Sequence, residues 1–536
     1  MKPSTGRRDF LRFSGAGILA ASSVPAAEPV HRSHEGPGAV VSHQFDIRSY
    51  GAVGDGKAID TKAINLAIAA AGAGGGGCVV FPAGIYASFS IRLMSKVHLY
   101  LSEGATILAA DPPDPGAKGG YDAPEPNPEG KDYQDFGHCH WQNSLIWGDG
   151  LDHISITGPG LIWGKGLTKG YGPGPKAEQS GVGNKAIALK NCRNVILRDF
   201  SILKGGHFGL LLTGVDNLTI DNLKIDTDRD GMDIDCCRNV RVSNCIVNSP
   251  WDDAICPKSS FALGYARSTE NLTITNCSVA GSYELGSVLD GTFKKFQPDF
   301  RVPRTGRIKF GTESNGGFRN ITISNCTFEG CQGLALETVD GGLLEDIAIS
   351  NITMRDITSA PLFMRLGSRL RGPEGSKPGT LSRVLINNLV CYNSASGISS
   401  ILSGIPGYRL EDIRLSNIYV QHQGGATLEA RDIRPPELEN KYPEPAMFGP
   451  MPAHGFYFRH VRNLELSHVE VKPMKADSRP AFVLQDVERA DFINVEVPHG
   501  PQQNAYSLQD VSQVRILQSR FLPDTYIKES TVKRDL

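Results

Sequence analysis

The chain is predicted to be all-β, a right-handed parallel β-helix with a short N-terminal capping helix, and three observations carry that reading. A phrase of alternating apolar and polar residues, rich in β-branched types, returns along the chain: "NVILRDFSI" from Asn194, "NLTIDNLKI" from Asn217, "NVRVSNCIV" from Asn239, "NLTITNCSV" from Asn271 and "NITISNCTF" from Asn320. It continues from Asp346, Arg383, Asp412 and Asn463. Such alternation marks strands. The closest copies start 23 and 22 residues apart, a unit too short to bury its own apolar face, so successive units must stack as coils, with longer gaps accommodating inserted loops. The composition agrees: 60 glycines, 40% hydrophobic and 21% charged residues describe a turn-rich chain with ample core material. A leucine-rich horseshoe would need a helical half and a leucine spacing that the copies lack, and a propeller would need antiparallel hairpins.

From the N-terminus, "MKPSTGRRDFLRFSGAGILAASSVPAAEP" sets Arg7 and Arg8 before a short apolar run from Phe13 to Ala21, with Val24 and Ala26 suited to cleavage. This resembles a twin-arginine export signal and implies a periplasmic or secreted protein. The expected division is a signal over 1–26, a linker over 27–44, one β-helix domain over 45–525 and a tail over 526–536. No run is apolar for the ~18 residues that a membrane span requires, so no membrane association is expected after cleavage, and the chain is expected to be a monomer. The net charge of −2 and the lack of a basic block disfavour a nucleic-acid partner.

"DTKAINLAIAAAG" begins at Asp60, an expected N-cap, and puts Ala63, Ile64, Ala67, Ile68 and Ala71 on one face of a helix fit to cover the open end of the solenoid. The glycine run 74–77 ends it, so it closes a helix and is no phosphate loop. Eleven cysteines behind a twin-arginine signal disfavour a disulfide scaffold. Cys192, Cys245, Cys277 and Cys326 each follow an asparagine in a recurring phrase, which predicts stacked buried thiols.

The chemistry concentrates in "DTDRDGMDID" from Asp226, with five carboxylates, and in Asp252 and Asp253 of "WDDAICPKSS". Equivalent positions on consecutive coils lie about 4.8 Å apart, and Asp252 follows Asp230 by 22 residues, one repeat. Asp230, Asp252 and Asp253 are therefore expected to converge, leaving Asp233 and Asp235 at turn or supporting positions. Convergent carboxylates cannot all ionise freely. Inverting glycoside hydrolysis uses one protonated and one ionised carboxyl roughly 6.5–9.5 Å apart; turn chemistry or calcium neutralisation would also account for the cluster.

From Phe45 to Val471 the chain resembles glycoside hydrolase family 28, the pectin-degrading polygalacturonase and rhamnogalacturonase group. The resemblance rests on "FDIRSYGAVGDGKAIDTKAINLAI", "VVFPAGIY", "LIWGKGL", the Asp228-Arg229-Asp230 triplet with "GMDID" where the family has Asn-Thr-Asp, and Asp252-Asp253. It implies that Asp252 is the general acid and that Asp230 and Asp253 position and deprotonate water. It further implies a pectic polysaccharide or oligosaccharide as substrate and no cofactor or metal. Asp228, His207 and Lys258 are candidate substrate-binding residues, His207 being equally suited to a structural role. Other motifs depart. Thr305 falls where the family's Gly-His-Gly histidine is expected, and Ala335, Leu336 and Glu337 fall where Arg-Ile-Lys would bind a substrate carboxylate; in a second alignment Arg307-Ile308-Lys309 is that motif. Arg307 and Lys309 form either a shifted binding patch or an ordinary solvated face. The loss of a cationic pair to Ala335 and Glu337 disfavours plain polygalacturonan and points to a rhamnogalacturonan or branched substrate.

Insertions at 281–304 and from Tyr133 are expected to wall the cleft, with Trp251 stacking on a sugar or packing. His138 and His140 have metal-like spacing but no identified carboxylate partner. Two other functions stay open: a calcium-dependent polysaccharide lyase on the same fold, and a carbohydrate-binding β-helix without turnover.

Overall fold

The computed structural model describes residues 43–536 except 131, 173, 396 and 498–503; the expected export signal and most of the expected linker lie outside the described residues. The repeated phrases stack as one parallel ladder. Arg193–Arg198 pairs with Asp216–Asp221, that with Arg238–Ser243, and that with Thr269–Thr275. The ladder continues through Phe318–Glu329, Leu344–Arg355, Leu381–Ser394 and Leu410–Gly424 to Phe456–Lys475. The registers place Val195, Leu218, Val240, Leu272, Ile321 and Ile347 directly over one another, all buried. The core is thus a stack of aliphatic side chains that no single coil could bury alone.

Each phrase is more than a strand. Arg193–Arg198 and Ser201–Leu203 are separate strands joined at a corner where Asp199 has φ 72°. The asparagines that open the phrases are left-handed as well, Asn194 at 55°, Asn217 at 53° and Asn239 at 57°, a conformation that asparagine tolerates better than most L-residues. Their carboxamides form a ladder between coils: Asn217 Nδ2 donates to Asn194 Oδ1 at 2.7 Å and Asn320 Nδ2 to Asn271 Oδ1 at 2.7 Å. A second ladder runs from Asn388 to Asn351 at 3.1 Å and from Asn351 to Asn325 at 2.9 Å. These corners explain why asparagine punctuates the repeat. The four repeat thiols are buried and unpaired, and Cys277 lies against both Cys245 and Cys326.

The capping helix spans Thr61–Ala73 and buries Ala63, Ile64, Ala67, Ile68 and Ala71, packing on the first strands, Gln44–Asp46 and Gly77–Phe81. Asp60 is not its side-chain cap. Its carboxylate instead accepts from the backbone N–H groups of Val53, at 2.7 Å, and Gly54, at 3.1 Å, tying down the preceding loop. The residues read as a tail also differ from expectation: Thr525–Ser530 pairs antiparallel with Tyr506–Leu517, and Arg534–Asp535 pairs with Ser507 and Leu508, so the chain covers its own last coil. That covering removes an exposed strand edge.

A second parallel sheet carries the carboxylates. It runs Ile91–Arg92, Ile146–Asp149, Lys185–Lys190, Phe208–Thr213, Asp230–Asp235 and Ile255–Lys258.

Candidate active site

Met232 pairs with Ile255 and Asp235 with Lys258, and this register sets Asp230 and Asp253 at equivalent positions of adjacent coils. One carboxylate oxygen of each and the Cys256 Sγ lie within 4.8 Å of one another. The coil order then continues without a gap. Ile308 bridges Ile255, and Lys309 and Phe310 pair with Ala335 and Leu336. Arg307 and Lys309 therefore stand on the coil directly after Asp253, and Ala335–Glu337 on the next, as the first of the two alignments requires.

The crowd of acids is neutralised one by one. Asp226 accepts from Asn248 Nδ2 at 2.8 Å and from the backbone of Gly286 at 2.7 Å, fixing the 281–304 insertion. Asp228 pairs with Lys169 at 2.6 Å. Asp233 lies 2.8 Å from His138 Nε2 and 3.3 Å from Lys258 Nζ, and Lys258 also reaches Glu313 at 3.1 Å. Asp235 accepts from the Ser260 hydroxyl at 2.6 Å. Asp233 and Asp235 are thus supporting residues, on a strand rather than at a turn. His138 has the carboxylate partner that sequence spacing did not identify; burial opposes its charge, but Glu313, Asp135 and Asp233 outweigh that and push it up to about 10.

The central three acids have different surroundings. Asp253 is 3% exposed; Arg307 Nε donates to it at 2.8 Å and Lys309 Nζ lies 3.2 Å away. Burial would raise its carboxyl, yet Lys309 and Arg307 hold it below the ordinary value. Asp252, the most accessible of the three, receives Arg229 Nε at 3.1 Å and Nη2 at 3.0 Å. Burial and the adjacent Asp253 nevertheless raise it, against the pull of Arg229. Asp230 is buried and, among the described residues, makes no hydrogen bond or ion pair; burial, then Asp252 and Asp233, raise it well above the ordinary value.

Arg307 and Lys309 are no solvated face. Their side chains are 1% and 3% exposed, behind Glu444, 2.7 Å from Arg307 Nη2, and Tyr442, whose hydroxyl accepts from Lys309 at 2.9 Å. On the next coil Glu337 is fully buried, and burial pushes it up to about 8 even beside Lys309 and Arg307. Lys258 and Asp228 are likewise buried in ion pairs. His207 stacks on Phe208 with ring centres 4.1 Å apart, its Nε2 unpartnered, and burial keeps it uncharged. Trp251 packs edge-on against Phe296 of the 281–304 insertion. His140 stacks on Phe136.

Asp230, Asp253 and Cys256 are grouped closely enough to share an ion, but the two cations on Asp253 and a thiol that burial pushes well up suit a dication poorly. Sequence reasoning missed Lys169, Glu313, Arg371, Tyr442 and Glu444. All come from loops; Tyr442 and Glu444 belong to the long insertion between Leu410–Gly424 and Phe456–Lys475.

Comparison with known proteins agrees with this architecture. The family described as "Rhamnogalacturonase A/epimerase, pectate lyase-like" matches residues 44–105, and "Right handed beta helix region" matches residues 134–279. A "Probable polygalacturonase" of Vitis vinifera is 23% identical over 59% of this chain, a match that spans 61% of the grape protein. Two solved structures share the fold. The family 28 exopolygalacturonase of Yersinia enterocolitica has TM-score 0.58 at 18% identity, covering 85% of this chain and 79% of that one. The exopolygalacturonase of Thermotoga maritima has TM-score 0.56 at 16% identity, covering 92% and 95%. These matches support the resemblance to the family 28-like, pectin-degrading group and the parallel β-helix.

Proposed function

We propose that the chain hydrolyses a glycosidic bond of a pectic polysaccharide with inversion at the anomeric carbon. Asp252 gives its proton to the leaving oxygen, Asp253 takes one from the attacking water, and Asp230, uncharged, positions that water. The observation that carries this reading is the opposite pull on two adjacent acids: Asp252 is raised while Asp253 is lowered by Lys309 and Arg307. Two carboxyls whose surroundings drive their proton affinities apart are an acid and a base in waiting. The exposure order agrees, because the donor must reach a bound sugar while the water site can lie deeper; the Asp252 side chain is 27% exposed against 4% for Asp253.

The pectic substrate class rests on the sequence resemblance and on relatives named as polygalacturonases. A rhamnogalacturonan or branched chain is favoured over smooth polygalacturonan, since Arg307 and Lys309 are already matched by Asp253 and Glu444 and the following coil offers Glu337. The chemistry requires no cofactor. Export through the N-terminal twin-arginine sequence to the periplasm or medium accords with such a substrate.

The test is release of reducing ends from pectic fractions by the purified protein and by Asp252→Asn. Release by the native protein alone supports the assignment. Equal release by both removes Asp252 from the acid role, chelator-sensitive formation of unsaturated, ultraviolet-absorbing products would establish a lyase, and binding without turnover would establish a binding module.

A further inference from the structure

Six cations around the site each hold a carboxylate within 3.3 Å: Lys169, Arg229, Lys258, Arg307, Lys309 and Arg371. Arg369 does not. Among the described residues it makes no hydrogen bond or ion pair, and its Nη1 is buried without a partner. Its guanidinium carbon lies 5.1 Å from the centre of the Tyr442 ring. A half-buried guanidinium without an anion is costly, so its place must be imposed. The chain on both sides of it is fixed: Ser368 N donates to Glu439 O at 2.6 Å, Leu370 N to Val339 O at 3.0 Å, and Arg371 Nη2 reaches Asp340 at 2.7 Å. Burial and the neighbouring Arg371 act against its charge, and Asp340 and Glu313, beyond ion-pair reach, act only partly for it.

The position borders the site. Tyr442 is 47% exposed; its hydroxyl is 2.9 Å from Lys309 Nζ, which lies 3.2 Å from Asp253. Arg369 is thus linked to Asp253 through the Tyr442 ring and Lys309. Arg307 and Lys309, on the far side of Tyr442, face Glu444 and Asp253 and have no charge left for a ligand.

We propose that Arg369 receives the carboxylate of a uronic acid unit in the bound chain, beside Tyr442, in the role that Arg307 and Lys309 do not fill. The guanidinium fork matches a carboxylate in geometry, and a charge-assisted pair in a partly dry site is stronger than one in water. The inference rests on the pectic-substrate reading above and names the group that recognises the acid.

The test is calorimetric titration of a rhamnogalacturonan oligosaccharide, whose galacturonate units carry the acid, and separately of its methyl ester, into the full chain and into Arg369→Gln. The native protein is expected to prefer the acid, and the variant to lose about tenfold or more in affinity for the acid with no change for the ester; Arg369→Lys should recover part of the loss. Unchanged affinity for the acid in Arg369→Gln overturns the proposal. So does an equal loss for acid and ester, which would mark Arg369 as a packing partner of Tyr442, and so does a native protein that does not distinguish the two ligands. Failure of the hydrolase reading shows elsewhere, as absence of reducing-end release by the native protein with the acid-specific binding intact.

Discussion

The strands that carry Asn194, Asn217 and Asn239 and the strands of the second sheet that begin at Asp230 and just after Asp253 belong to the same coils, yet they are held by different means. On the asparagine side each coil resembles the last: the same left-handed corner, carboxamide bonds to a neighbouring coil such as that from Asn217 to Asn194, and an aliphatic residue at the same place in the core. On the carboxylate side the inward aliphatic positions still repeat, as Ile146, Ile187 and Leu210 do, but the outward ones do not, and charge is balanced by residues distant in sequence; Glu444 reaches Arg307 across 137 residues. Periodic bonding makes a stiff scaffold out of near-identical units. An aperiodic face on that scaffold lets unlike groups be brought within a few ångströms without disturbing the core.

Substitutions separate the two sides. Asp252→Asn should lower kcat by about 10²–10⁴-fold with an unchanged melting curve, because that carboxyl contributes to the reaction and little to the stack. Leu218→Ala should do the reverse: this fully buried side chain sits between Val195 and Val240, and its removal should cost about 2–5 kcal/mol in denaturant unfolding while the folded fraction keeps its rate. Arg229→Thr probes the border, since it restores the family's residue and removes the cation that favours the ionised form of Asp252. The group must be protonated to act and activity is lost as pH rises through its pKa, so removing Arg229 raises that pKa and should move the alkaline limb of the pH–rate profile upward, by about one unit. The smallest effect is expected for Asn217→Ala, which loses one ladder bond and sets alanine at φ 53°, costing about 1–2 kcal/mol without altering kcat. A loss of activity in Asn217→Ala matching that of Asp252→Asn would erase the distinction.

The same contrast explains what was legible in the sequence. The coil stack could be read because its rule is local and repeated, and Asp230 could be brought to the Asp252–Asp253 pair because 22 residues, one repeat, separate it from Asp252; the actual register is one residue longer and sets Asp253, not Asp252, opposite Asp230. Asparagine was visible in every phrase, but its function as a left-handed corner emerges only from the backbone. Arg307 and Lys309 alternate along a strand as solvated residues do, and nothing near them announces that Tyr442 and Glu444 will cover them. Asp60 carries an N-cap residue type, yet the Val53–Gly54 loop competes for its carboxylate and wins with two backbone bonds. Arg229, unexplained while the triplet stood alone, is the partner of Asp252. The residues 526–536 lack the repeated phrase because they run antiparallel to it.

The central claim is that Asp252 and Asp253 form an acid and a base acting on opposite sides of one glycosidic bond. Proton NMR of the first-formed product, recorded before mutarotation, tests it most directly. Inversion requires that the new reducing end appear in the anomeric configuration opposite to that of the bond cleaved. Appearance of the same configuration, or of an unsaturated sugar at the new non-reducing end, would contradict it.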